Sequence, residues 1–230
     1  MNDDFASNIH QLRPHHLSDP FSDFAPEHLK RLLAVRDDEM GWSEFQQLLG
    51  PCLPAGTYDE SVYFLPKAFQ YLVAFEREAF DLVTAVIGFC SKYADELTAD
   101  HYMHHVKGKL RDCLKWWTRD FRVHNDFVEN VPLICQSLED LVRFNRHRDI
   151  ALDFFRSLTD NLAQPVAACW FLALVRARSD LKPPPTIPEF AEPMNDKSLL
   201  VQAGATILKH GILIEKSPTY WNDTFNLVGL

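Results

Sequence analysis

The sequence predicts a mainly α-helical protein, and three observations support this fold class. Only 8 of the 230 residues are glycine, too few for the many tight turns of an all-β sandwich. The chain has 17 Phe and 5 Trp to fill a core, within a composition that is 47% hydrophobic and 24% charged. Apolar residues also recur at helical spacing along most of the chain. We therefore expect a compact multi-helix bundle or an irregular helical array of eight to nine helices.

The N-terminal part shows no helical period, and we expect residues 1–25 to form an extended arm. Pro14 and Pro20 favour extended or turn backbone there, because proline cannot continue a helix. Pro26 suits the first turn of a helix, so a helical core domain is predicted to begin there and to span residues 26–182.

Local signals mark where individual helices of this core begin. Thr57 and Glu60 have the spacing of a capping box. Pro66 interrupts the apolar pattern that follows, which favours a kink or a new helix. The stripe at residues 80–97 is apolar on two sides, which is typical of a central helix, and another stripe covers residues 103–121. Further helix starts are predicted at Ser43, Asp100, Asn130, Asp149 and Pro165.

The C-terminal part is predicted to differ from the core. Five closely spaced prolines predict a stiff, extended connector over residues 183–195. A last helix is expected at about residues 196–210, and residues 211–214 and 224–228 are expected to pair as a small β-hairpin. Because residues 196–230 are too few for a core of their own, this element is expected to pack on the same domain.

The distribution of charge limits the classes of partner. The net charge is −9, and residues 1–60 hold 11 acidic and 4 basic residues, a net −7. Acidic surfaces repel phosphates, which disfavours a nucleic-acid partner and leaves the basic residues at 107–122 as a minor candidate for a phosphate-binding face. The acidic balance is compatible with a basic protein partner and also with plain solubility.

The sequence predicts neither a membrane span nor a secretory signal. Its most apolar run, Val166–Val175, has ten residues, about half of the ~20 that cross a bilayer. The N-terminus lacks the basic and apolar regions of a secretory signal. The five cysteines are far apart and odd in number, which favours reduced thiols in the core. We therefore expect a cytoplasmic protein.

The densest group of possible metal ligands lies at His101 and His105. On a helix that begins at Asp100, these two histidines are one turn apart on the side away from the apolar stripe. Such a pair can hold a metal, but the sequence lacks the Glu of an H-E-x-x-H motif, and Asp112 is two turns further on. A solvated helix start is therefore favoured, and no cofactor or metal is predicted.

Trp116 is the most informative single residue for binding. Successive helical residues diverge by about 100°, so Trp116 cannot share the apolar face of Trp117. On a helix, Trp116 lies on the same side as His105 and Asp112. The favoured interpretation is that another helix covers Trp116 there. If Trp116 is exposed instead, it forms a candidate protein-binding surface with His105, Asp112 and Arg119.

Two functions are compatible with these patterns. The favoured one is a non-enzymatic interaction module, such as an inhibitor or immunity-type protein, that binds a basic protein partner through an acidic surface including Asp37, Asp38 and Glu39. The alternative is an enzyme with a helical fold and a dispersed histidine and carboxylate site, with or without a metal, around His101 and His105.

Overall fold

The computed structural model describes residues 9, 12–50, 55–124, 127–144, 146–180, 188–211 and 217–230. Most of these residues lie in helices. The mainly α class is confirmed, and these residues form more helices than the eight to nine expected. The chain divides into two compact units. The first unit is Met1–Cys113 with Phe144–His147, and the second is Leu114–Arg143 with Arg148–Leu230.

The first unit contains the helices that precede the middle of the chain. A 3₁₀ turn at Val62–Phe64 lies between two of them, so Pro66 stands near the start of a new helix, as predicted. In chain order the helices are α1 (Pro26–Ala34), α2 (Trp42–Leu49), α3 (Tyr58–Ser61), α4 (Leu65–Ala74), α5 (Ala79–Lys92), α6 (Ala94–Ala99) and α7 (Met103–Trp117), whose last residues belong to the second unit.

The centre of the first unit is α5, which packs against both α2 and α4. This helix is buried on several sides, in agreement with the two apolar sides predicted from the sequence. Phe80, at its start, is an exception and is 39% exposed. The stripe predicted at residues 80–97 is divided between two helices. The backbone of Tyr93, with φ −106° and ψ 33°, ends α5 and begins α6.

The described part of the arm, residues 12–25, contains neither helix nor strand, and Glu60 is one of the carboxylates that hold it to the rest of the first unit. Glu60 completes the predicted capping box by accepting the N–H of Thr57 at 2.9 Å. It also accepts the N–H of Ser18 at 2.9 Å and its hydroxyl at 2.6 Å. Burial raises the pKa of Glu60, but the hydrogen bonds from Ser18 and Thr57 outweigh it, and the net pKa is below its ordinary value.

Replacing Glu60 by Ala is expected to lower the free energy of unfolding by about 1–2 kcal/mol, because both the helix cap and the arm lose an acceptor. Urea unfolding measures the change, and hydrogen exchange at Ser18 is expected to become faster. Glu39→Ala removes an exposed carboxylate and is the control, with an expected change within about 0.5 kcal/mol. Equal effects of the two substitutions would contradict the role given to Glu60.

The second unit is built around α10, which carries the apolar run Val166–Val175. This helix packs against four others, namely α8, α9, α12 and α13. Two short strands form an antiparallel pair in which Val123 lies opposite Val128. The elements in chain order are β1 (Val123–His124), β2 (Phe127–Val128), α8 (Val131–Arg143), α9 (Arg148–Asp160), α10 (Pro165–Asp180), α11 (Pro188–Asn195), α12 (Lys197–Lys209) and α13 (Pro218–Val228).

The C-terminal β-hairpin is a wrong prediction. Residues 224–228 belong to α13, which begins at Pro218 and ends at Gly229, whose φ of 73° is left-handed. This helix buries Tyr220, Trp221 and Thr224, and their spacing suits one helical face. Residues 212–216 lie outside the described part of the chain.

The prediction of an extended connector at residues 183–195 is also wrong for the residues of it that the structure describes. Residues 188–195 form α11, while residues 181–187 lie outside the described residues. Phe190 and Met194 are buried at helical spacing, and the Phe190 ring stacks on Phe155 with 4.5 Å between centroids. The limits predicted for the arm, the core domain and the C-terminal element remain predictions.

Four cysteines lie in the described residues, and each is a free thiol. Burial raises the pKa of Cys113, Cys135 and Cys169 to about 12. Burial raises the pKa of Cys90 above that of the other three thiols. Cys52 lies outside the described residues. The described thiols are therefore protonated at neutral pH and suit core positions. No helix in the described part of the chain is both long and apolar enough to cross a membrane.

Candidate protein-binding surface

The histidine pair does not have the geometry expected from the sequence. The helix predicted to start at Asp100 starts at Met103, and Asp100 is instead the C-cap of α6 and accepts the Tyr58 hydroxyl at 2.8 Å. His101 is exposed in the turn before α7 with a left-handed φ of 63°, so it does not share a helical face with His105. Among the described residues, no group of three or more possible ligands could hold a metal ion.

Trp116 is 39% exposed near the end of α7, so the expected coverage by another helix is wrong. Arg119 occupies part of its surface. The guanidinium carbon lies 4.0 Å from the centroid of the Trp116 ring, and its Nη1 donates to the Trp116 carbonyl at 2.7 Å. The structure thus brings Trp116 and Arg119 together in the second unit. His105 is half-buried and Asp112 is exposed, and both belong to the first unit.

Asp37 is the centre of an ion cluster within the first unit. Its carboxylate lies 2.9 Å from Arg13 Nη1 and 3.2 Å from Lys67 Nζ, and it accepts the Tyr63 hydroxyl at 2.7 Å. Burial raises the pKa of Asp37, but the Tyr63 hydrogen bond and the charges of Lys67 and Arg13 outweigh it, so the net pKa is lowered. Asp37 therefore holds the arm to α4 and is occupied by partners of its own.

The two acids that follow it share one arginine. Asp38 accepts Arg36 Nε at 3.1 Å and Nη2 at 2.7 Å, and Glu39 lies 4.0 Å from the same guanidinium. Both acids are exposed. The three acids at positions 37–39 thus lie beside three basic side chains, and their local charge is largely balanced.

A cluster of exposed aromatic residues in the first unit was missed by the sequence analysis. Trp42, at the start of α2, is 41% exposed, and Phe75, just after α4, is 51% exposed. The Tyr71 ring centroid is 4.6 Å from that of Phe75 and 5.7 Å from that of buried Phe45. The backbone N–H of Trp42 lies near the Tyr71 hydroxyl and acts to lower its pKa. Helices α2 and α4 pack on each other, so Tyr71, which contacts Phe75, also lies near the backbone of Trp42.

Two carboxylates border these aromatic residues, and hydrogen bonds hold both. Glu78 accepts the Tyr71 hydroxyl, and Glu44 accepts the N–H of Gly41 at 2.9 Å. Burial raises the pKa of Tyr71 to about 12, and the hydrogen bond and charge of Glu78 act in the same direction, as does the charge of Glu44. We call the set Trp42, Glu44, Tyr71, Phe75 and Glu78 the Trp42 surface.

The sequence contains only a weak signal for this surface. Residues 76–81, which follow the exposed Phe75, hold three acids and one base, so an aromatic residue borders an acidic segment. Trp42 lies 33 positions earlier, and periodicity within a single helix cannot relate residues so far apart.

Comparison of the chain with known protein families, with curated proteins and with solved structures finds no match.

Proposed function

We propose that this chain is a non-enzymatic interaction protein that binds a basic protein partner, with the Trp42 surface as its anchor. The observation that carries the proposal is the exposure of Trp42 and Phe75 beside the fixed carboxylates of Glu44 and Glu78. A cytoplasmic location, which the cysteine pattern favours, is part of the same proposal.

The Trp42 surface has the chemistry that recognises arginine and lysine side chains. Tryptophan and tyrosine are enriched among the residues that dominate binding energy in protein interfaces. An indole face attracts a guanidinium or an ammonium group, and a neighbouring carboxylate pairs with the same cation. Because hydrogen bonds already fix Glu44 and Glu78, little side-chain entropy is lost when a partner binds them.

The charge of the N-terminal region supports the same class of partner. Residues 1–60 carry a net −7, and a field of this sign accelerates the encounter with a basic protein. An inhibitor or immunity-type protein is one form of this function, because neutralising a basic partner requires binding and no catalysis. The only support for an inhibitor or immunity-type protein is analogy, because such proteins are often small and acidic.

Trp42→Ala is expected to weaken binding of the partner at least tenfold, because the substitution removes the aromatic anchor. The full chain is immobilised, proteins retained at low salt are identified, and the affinity of each purified candidate is then measured at two salt concentrations. Glu44→Gln with Glu78→Gln is expected to weaken binding mainly at low salt, because exposed charges are screened as salt rises.

Trp116→Ala is the matched control, since the two tryptophans are 39% and 41% exposed. Unchanged binding in this variant supports the Trp42 surface. Loss of binding in Trp116→Ala, with none in Trp42→Ala, would move the anchor to the surface predicted from the sequence. If no retained protein shows salt-dependent binding, the proposed function is wrong.

A further inference from the structure

A groove of about 860 Å³ lies in the first unit between the arm and α1. Its volume is within the range of sites that bind small molecules. The residues that line it all come from positions 13–34, so the groove belongs to one short stretch of the chain. It is separate from the Trp42 surface, none of whose residues lines it.

Specific contacts fix the arm along this groove. Arg13 Nη2 donates to the carbonyl of Leu33 at 3.0 Å and also to that of Val35, just after α1. The side chain of Leu17 is buried, with 1% of it exposed, and Ser18 is bound to Glu60. The groove is therefore preorganised, because its walls are held by contacts outside the space that a ligand would occupy.

Two residues of the arm adopt left-handed backbone that L-residues rarely adopt. Asp19 has φ 39° and Ser22 has φ 56°. The Asp19 carboxylate accepts the N–H of Phe24 at 2.9 Å and that of Asp23 at 3.3 Å, which stabilises this turn. Unfavourable backbone that is held in place is found most often at sites of function. These contacts also occupy the one acidic side chain among the lining residues.

Basic and apolar side chains also line the groove. His15, His16 and Lys30 line the groove, and within the described residues none of the three has a hydrogen bond or an ion pair with another side chain. Leu29 and Leu33 of α1 add apolar surface. A groove with available cationic or N–H donors beside apolar side chains complements a molecule with an acidic head and an apolar body.

We propose that the groove binds a small amphipathic anion, with its carboxylate or phosphate group at Lys30 and the His15–His16 pair and its apolar part against Leu29 and Leu33. This site goes beyond the proposed function and does not depend on it, since it takes a different class of ligand at different residues.

The test is calorimetric titration of the full chain with three probes that share one apolar chain, namely decanoate, decyl phosphate and decyltrimethylammonium. The two anions are expected to bind and the cation to bind at least tenfold more weakly. Whichever anion binds more tightly indicates the head group. Equal binding of the cation, or binding of no anion up to millimolar concentration, would overturn the proposal.

The triple variant Lys30→Gln, His15→Gln, His16→Gln is expected to weaken anion binding at least tenfold. Its matched control, Lys115→Gln, removes an exposed lysine in the second unit and is expected to bind like the unaltered chain. Amide chemical-shift mapping of the unaltered chain gives a second readout that needs no variant. Shifts at residues 13–34 support the site, whereas shifts only elsewhere, or unchanged affinity in a folded triple variant, rule it out.

Discussion

Trp170→Ala is expected to lower the free energy of unfolding of the second unit by about 3–5 kcal/mol, the range for removing a large buried aromatic residue. Only 1% of Trp170 is exposed, and it lies on α10, the helix around which the unit packs. Its Nε1 donates to the carbonyl of Asp120 at 3.1 Å, and the Phe121 ring meets it edge-on at 5.4 Å. Alanine would leave a cavity and a carbonyl without its donor.

Two further variants separate the causes of that loss. Trp170→Phe keeps most of the apolar volume but removes the hydrogen bond, so an intermediate cost of about 1–2 kcal/mol is expected. Trp116→Ala removes an exposed tryptophan and the stacking of Arg119, with an expected cost of about 1 kcal/mol or less. Urea unfolding of all three gives the comparison. A Trp170→Ala cost no larger than that of Trp116→Ala would show that α10 is not the centre of the unit.

Asp37→Asn is expected to cost about 2–3 kcal/mol of stability, because the neutral amide leaves two partly buried cations without their counter-ion. Arg13 and Lys67 are 29% and 23% exposed, so water only partly replaces the lost carboxylate. Asp38→Asn removes a charge of the same kind that is 67% exposed and is the control, with an expected cost below about 1 kcal/mol.

The same residue gives a pH dependence with a defined sign. The pKa of Asp37 is lower in the folded chain than its ordinary value of 3.8. Its contribution is therefore complete above that value and is lost as the pH falls through the lowered pKa of the folded state. The difference in unfolding free energy between the unaltered chain and Asp37→Asn should shrink in acid. A difference that stays constant down to the acid limit would contradict the ion cluster.

Signals within a few residues of one another predicted the fold class and most helix starts. The capping box at Thr57, the new helix at Pro66 and the start at Pro165 are each set by a backbone donor or a fixed φ angle close by in sequence. The hairpin prediction was wrong because alternating apolar residues at 224–228 suit a strand as well as one side of a helix. Burial of Trp221 selects the helix.

The candidate surfaces were harder to predict because they depend on packing. Periodicity places Trp116 away from the apolar stripe, yet whether another element covers it is decided by tertiary structure, and the structure leaves it exposed. The acids at positions 37–39 were predicted to belong to an acidic surface that binds a basic partner. Arg13 and Lys67, which come from distant parts of the sequence, occupy Asp37 instead.

Glu60 limits how this chain can vary. The same carboxylate caps a helix through Thr57 and holds the arm through Ser18, so it receives three hydrogen bonds from two elements. A shorter side chain at this position cannot reach both Thr57 and Ser18, and Ser18→Ala removes one of the three hydrogen bonds, that of the hydroxyl. The energetic effects of substitutions at positions 18 and 60 are therefore expected to depend on each other.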